Sequence, residues 1–324
     1  MPLADGHADS LMWNRDLTTR QRRGQVDFPR LKEADVRIQC FTVVTRGYPV
    51  VDGIGLFAAV RRWPAAARAG PWARCLFQLD RMRALCARSG EAVRIASTAA
   101  ELEENLVLGR ISAVLGVEGA HAIEGRPERV AELRARGVRF MSLTHLANNE
   151  LGGSSSPLMG DRPLTPLGRQ VVEAMVAARM SVDLAHASHR TLRSIAENRG
   201  ARLFSSHTGV TGASRSWRNL DDAELRLIAD RGGVVGIIFA TLYLGGRSID
   251  DVVRHLEHAL DVAGEDAVAL GSDFDGMVPL PRGVRDVTDM PKVVDALSRR
   301  RPGRVVEKVA FGNWRRFFRE TLGD

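Results

Sequence analysis

Eight short apolar runs alternate with longer stretches of helical period along this 324-residue chain. They are "PLADGH", "DVRIQCFTVV", "ISAVLGVEG", "VRFMSLTH", "SVDLAH", "RLFSSH", "GVVGIIFA" and "AVALGSDFDG". Such alternation is the pattern of repeated strand–helix units, whose crossovers lay parallel strands side by side. One helix is expected over 167–178, where Leu167, Val171, Met175 and Ala178 share a face. Another is expected from about Asp221 to Asp230, stopping before Gly232. Eight units of this kind predict an α/β fold, a (β/α)8 TIM-type barrel, with irregular additions near 10–34 and 45–70. An open doubly wound sheet would want a GxGxxG after its first strand, and none stands there. Closed barrels routinely take about 250 residues or more as one unit, so a single domain over 1–324 is expected.

Ionisable side chains gather at one end of these runs. His7 and Asp9 follow the first and Glu118 closes the third; His145, His186, His207 and Asp273 close the fourth, fifth, sixth and eighth. A barrel collects the C-terminal ends of its strands on one face, where barrel enzymes do their chemistry. A lone histidine after an apolar run is ordinarily a satisfied structural residue, and His-x-Asp arises often by chance. Seven such groups delivered to one face by six strands are costly to bury without a common partner. Imidazole and carboxylate are the ligands that Zn²⁺ and similar ions accept, and the two oxygens of Glu118 suit it to bridge a pair. His7 and Asp9, two apart on a strand, point the same way and suit one ion; His186 and His207 suit a second. Two ions about 3.5–4 Å apart would deprotonate a shared water near neutral pH. His121 reads as an orienting partner of Glu118 or a structural residue, His189, His255 and His258 as surface or packing residues, and Asp275 as a weaker candidate beside Asp273.

Charge and composition exclude other classes. The formal charge of +7 rests on scattered arginines, Lys32, Lys292 and Lys308 being the only lysines, and the one run is "LSRRRPGR". Aromatic residues at 6% give few stacking platforms, so no nucleic-acid partner is expected. No stretch approaches the roughly 18 apolar residues of a membrane helix, and the N-terminus has no basic region followed by an apolar one, so no membrane partner is expected. Cys40, Cys75 and Cys86 lack CxxC spacing and read as buried thiols, which together point to a cytoplasmic protein.

The segments "DGHADS", "GVEGAH", "MSLTHLANNELGGSS", "LTPLGRQVVEAMVAARMSVDLAH", "SSHTGV", "RNLDDAELRLIADRGGVVGI" and "ALGSDFDG" resemble, in order, the membrane (renal-type) dipeptidase family, the M19 metallopeptidases. The resemblance spans about residues 4–320, and the "THLANNELGGSS" stretch resembles a bacterial subgroup. It implies a barrel with two Zn²⁺ ions that hydrolyses dipeptides, tolerates a D-residue at the C-terminal position, and is compatible with a homodimer. By position, His7, Asp9, Glu118, His186 and His207 match the metal ligands. His145 matches the residue that contacts substrate and steadies the tetrahedral intermediate, Arg218 the arginine that recognises the substrate carboxylate, and Asp273 the acid/base. The chain departs from the family pattern at "GIIFATLYL", "SSHTGVTGAS" and "AFGNWRRFF", which leaves the substrate open. A metal-dependent amidohydrolase acting on N-acyl amino acids or lactams is the alternative, and a non-catalytic metal-binding barrel a weaker one. A phosphoesterase would want several convergent cations, where the relevant loop offers only Arg218 and Arg215. Arg218 has a purely structural alternative too, pairing with Asp221 or Asp222.

Overall fold

Parallel pairing carries the backbone around a ring. The structure is a computed structural model and describes residues 1–47 and 52–323. Its strands are β1 (Leu3–Asp5), β2 (Val36–Val44), β3 (Val93–Ile95), β4 (Ile111–Glu118), β5 (Val138–Ser142), β6 (Ser181–Asp183), β7 (Leu203–Thr208), β8 (Val235–Ile237) and β9 (Val268–Leu270). They pair in the order β1-β2-β4-β5-β6-β7-β8-β9, every pair parallel. The ring closes where Ala8 bridges Phe274, with Gly6 N donating to Leu270 O at 3.0 Å and Asp9 N to Phe274 O at 2.9 Å. This is the (β/α)8 TIM-type barrel. The strand not expected from the sequence is β3, which pairs only with the foot of β4, Val93 against Ile111 through Ile95 against Ala113. Three residues interrupted by Arg94 are too short to show a periodicity.

Local signals place the crossover helices. The helix Pro166–Ala177 starts where Thr165 accepts from Gly168 N and Pro166 takes the first turn, and it buries Val171 and Met175. The helix Asp222–Asp230 is opened by a capping box between Asp221 and Glu224 and followed by Gly232 at φ +71°. The additions near 10–34 contain the 3₁₀ turn Ser10–Met12 and the helix Phe28–Glu33. The stretch near 45–70 carries the helix Gly53–Val60 and the turn Ala66–Arg68, while 48–51 lie outside the described residues. No helix among the described residues is long and apolar enough to cross a membrane. Cys40, Cys75 and Cys86 are buried and unpaired.

Period-two alternation divides the barrel interior into an apolar floor and a polar mouth. From β2, Ile38 and Cys40 enter the floor; Thr42 and Val44, next on the same face, reach the mouth. From β4, Val114 lies in the floor and Glu118, four residues on, in the mouth. Ala4, Phe140, Phe204 and Ala269 complete the floor against Trp314, Phe317 and Phe318 of the terminal helix Asn313–Thr321, which stoppers this end. Trp314 is fully buried, stacks on Phe318 with centroids 5.4 Å apart, and donates from Nε1 to Leu270 O at 2.8 Å. Trp314→Ala is expected to lower the unfolding free energy by about 3–5 kcal/mol in urea titration, the usual cost of emptying a large aromatic site. A loss under about 1 kcal/mol would show that the stopper adds little.

Candidate functional site

Glu118 is the point on which the strand ends converge. Its Oε1 lies 2.9 Å from His186 Nε2, 3.5 Å from His207 Nε2 and 3.6 Å from His7 Nε2, and its Oε2 lies 3.5 Å from His145 Nε2. Asp9 Oδ1 is 3.4 Å from His7 Nε2 and accepts the Thr42 hydroxyl at 2.7 Å. His186 and His207 bring their Nε2 atoms within 3.1 Å of each other. Among these side chains, three groups have ligand atoms mutually within 4.8 Å: His7, Glu118 and His207; Glu118, His145 and His186; His7, Asp9 and Asp273; a fourth such group among the described residues, His189, Asp221 and Glu224, lies apart from them. All seven side chains singled out at the strand ends therefore meet.

The backbone bends to deliver them. His186 and Asp273 each stand three residues past a strand with φ of +63° and +62°. Left-handed backbone is uncommon outside glycine and concentrates at functional sites. In β7 the register shifts between Ser205 and Thr208, so Ser206 and His207 both reach the interior instead of alternating. The Ser206 carbonyl also turns inward, where a Cβ on Gly6, Gly236 or Gly271 would collide with it.

The electrostatics suit a cation. Burial is the largest influence on His7 and would lower its pKa, but Glu118, Asp9 and Asp273 together overturn it and raise His7 to about 10. Burial, reinforced by Asp9 and Glu118 against the pull of His7, holds the Asp273 carboxyl well above the usual range. Burial keeps His186 and His207 far below the ordinary histidine value, hence neutral and able to ligate. Glu118 Oε2 and His186 Nδ1 are buried without a hydrogen-bond partner. Neutral imidazoles, clustered carboxylates and an orphaned oxygen are what a divalent ion of the zinc type takes, so these residues fit one.

Arg218 belongs to the same cavity. Its guanidinium is buried, with Nη2 donating to His207 O at 2.9 Å, Nη1 3.5 Å from Thr208 Oγ1 and Nε without a partner. No carboxylate lies within ion-pair distance of it among the described residues. Asp221 caps its helix and meets Arg193 at 3.4 Å, and Asp222 meets His258 at 2.7 Å, so the structural pairing with either aspartate does not occur. The cavity, about 300 Å³, is lined on its polar side by Asp9, Glu118, His145, His186, His207, Arg218 and Asp273. Its other wall is apolar: Met12, Ile54, Ile238, Leu242, Met277 and Val278. A larger cavity, about 820 Å³, is lined by Trp13 and several arginines and holds none of the convergent groups.

Other sequence candidates lie elsewhere. Asp275 turns away from Asp273: its Oδ2 accepts from Ser10 Oγ at 2.6 Å and from Arg15, and its Oδ1 from Gln25 N at 2.8 Å, so it ties the first addition to the barrel. His121 makes no hydrogen bond to Glu118; burial pushes it to about 3 and its Nδ1 has no partner. His189 pairs with Glu224 at 2.6 Å, and buried His255 accepts from Val210 N at 2.9 Å. Sequence reasoning missed Thr42, Ser206 and Asp183. Thr42 was open to it, being two residues past the inward Cys40.

The model of the membrane dipeptidase family, peptidase family M19, matches residues 1–322. Dipeptidase aclJ of Aspergillus oryzae is 29% identical over 319 residues, covering 92% of this chain and 72% of that protein. An uncharacterised protein from the pqqA 5′ region of Klebsiella pneumoniae is 30% identical over 258 residues, 75% of this chain and 94% of its own. Among solved structures, a Rhodobacter sphaeroides metallopeptidase liganded with a phosphinate mimic of the dipeptide L-Ala-D-Ala has a TM-score of 0.85 at 26% identity, covering 99% of each chain. Dipeptidase AC, of the same M19 family, has a TM-score of 0.86 at 26% identity, covering 100% of this chain and 99% of that one. A family match over nearly the full length, on a barrel whose strand ends build this cluster, places the chain in the membrane dipeptidase family, peptidase family M19, whose members are metallopeptidases and hydrolases.

Proposed function

We propose that this protein is a binuclear zinc dipeptidase that cleaves dipeptides with a free C-terminal carboxylate, L,D-dipeptides among them. The observation that carries the reading is the buried Arg218, without a carboxylate of its own, in one small cavity with the Glu118 cluster. His7, Asp9 and Glu118 would hold one ion, and Glu118, His186 and His207 the other. Such ions supply an activated water at neutral pH and polarise the peptide carbonyl. Arg218 binds the substrate carboxylate through its N–H groups, which sets the scissile bond over Glu118. The Arg46 carbonyl, 3.0 Å from His145 Nδ1, can only accept, so that nitrogen carries a proton. His145 Nε2 then faces the cavity, where it contacts the substrate and steadies the tetrahedral intermediate as charge builds on the carbonyl oxygen. Asp273 takes the proton of the attacking water and passes it to the leaving amine.

The apolar wall favours dipeptides with uncharged, apolar side chains. Tolerance of a C-terminal D-residue is supported by the Rhodobacter sphaeroides relative and its L-Ala-D-Ala mimic. The test pairs elemental analysis with a panel of L,L- and L,D-dipeptides and N-acyl amino acids. Close to two zinc ions per chain and turnover of dipeptides are expected. No more than one ion in active protein would reject the shared site, and faster turnover of N-acyl amino acids would move the protein to the amidohydrolase alternative.

A further inference from the structure

One hydroxyl stands between the two halves of the site. Ser206 Oγ lies 3.1 Å from His7 Nδ1 and 2.9 Å from His207 Nδ1, and these histidines are assigned to different ions. The same residue lies against the buried Asp183 carboxyl. Asp183 is fixed in turn, its Oδ1 accepting Ser206 N at 2.9 Å and Ala185 N at 3.0 Å. A serine hydroxyl has one proton and two lone pairs, a carboxylate only lone pairs, and a neutral imidazole one N–H and one lone pair.

We infer that Asp183 and Ser206 form a single clamp that sets the tautomer of a ligand histidine at each ion. The Ser206 O–H donates to Asp183, so Oγ is left to accept an Nδ1–H from His7 and another from His207. Both rings then keep their lone pair on Nε2, the atom that faces Glu118 in each. Were the hydroxyl proton turned to either imidazole, that ring would carry its hydrogen on Nε2, where a ligand lone pair is required. Ser206 and Asp183 are positioning residues, and because one oxygen serves both rings, the affinities of the two sites are tied together. The inference rests on the two-ion reading and deepens it.

The two variants separate the hydroxyl from the direction of its proton. Ser206→Ala removes the shared acceptor and should weaken zinc at both sites by about 10- to 100-fold, the usual scale for a partner of a ligand histidine. Asp183→Asn keeps the shape, but its amide N–H₂ can donate to Oγ and return the serine proton to one imidazole, so one site should weaken and the other persist. Ser205→Ala is the control, since the neighbouring Ser205 Oγ is buried without a partner. Zinc affinity is read by chelator competition, folding by circular dichroism, and tautomers by NMR of ¹⁵N-histidine-labelled, zinc-loaded protein, where Nδ1–H is expected for His7 and His207. If Ser206→Ala does not fold, Asp183→Asn decides alone. Unchanged zinc affinity at both sites in the folded variants, or an Nε2–H on either ring, would overturn the clamp while leaving the dipeptidase reading in place. A wild-type protein holding fewer than two ions would take both down.

Discussion

Asp273→Asn should keep the fold and the zinc and lose about 10²- to 10⁴-fold in kcat, the span that a positioned acid/base contributes. Asparagine has the shape of aspartate but cannot accept and release a proton. Asp273 is buried within reach of His7 and Asp9, on a left-handed turn that holds it over the cavity. Its substitution should therefore slow turnover with little change in KM. Asp275 cannot take over, because its carboxylate is already committed to Ser10, Arg15 and Gln25. Single-turnover kinetics on protein with verified zinc content decide the matter: a rate within a few-fold of wild type would send the proton elsewhere.

Arg218→Met should erase the preference for a free C-terminal carboxylate. An arginine fork makes two parallel hydrogen bonds to a carboxylate, and loss of either partner of a desolvated pair is costly. At about 2–4 kcal/mol the wild type should favour a dipeptide over its C-terminal amide by roughly 30- to 800-fold. Methionine fills much of the arginine stem without charge, so the variant should treat acid and amide alike, at the slow rate of the amide. Because Arg218 also donates to His207 O, zinc content is measured beside the rates. Equal rates on acid and amide in the wild type would remove the carboxylate clamp, and with it most of the case for a dipeptidase over a broader amidohydrolase.

The barrel could be read from the chain because its strands are apolar runs of the right length and their punctuation is regular. The same regularity put His7, Glu118, His145, His186, His207 and Asp273 on one face, and they do converge, all but His7 lining one cavity and His7 lying against Asp9 and Glu118. What escaped was whatever breaks a period or depends on distant sequence. Asp275 looked like a partner of Asp273 by two-residue spacing, but both residues are left-handed, at φ +65° and +62°, so strand alternation does not apply. Ser206 was hidden for the opposite reason: alternation turns it away from the face that His207 occupies, and only the register shift in β7 returns it. The terminal stopper was not read from the sequence, because the packing of Trp314, Phe317 and Phe318 on the floor depends on residues distant in the chain.

The inward carbonyl of Ser206 makes the site depend on residues that never touch it. Gly6, Gly236 and Gly271 belong to three segments far apart in sequence, and each leaves out a side chain where that carbonyl needs room. A methyl group at any of them would press on the β7 backbone and swing His207 together with the hydroxyl beneath both rings. The shape of the candidate metal site thus rests on empty space, and a side chain added at any of the three glycines would disturb it without replacing a single candidate ligand.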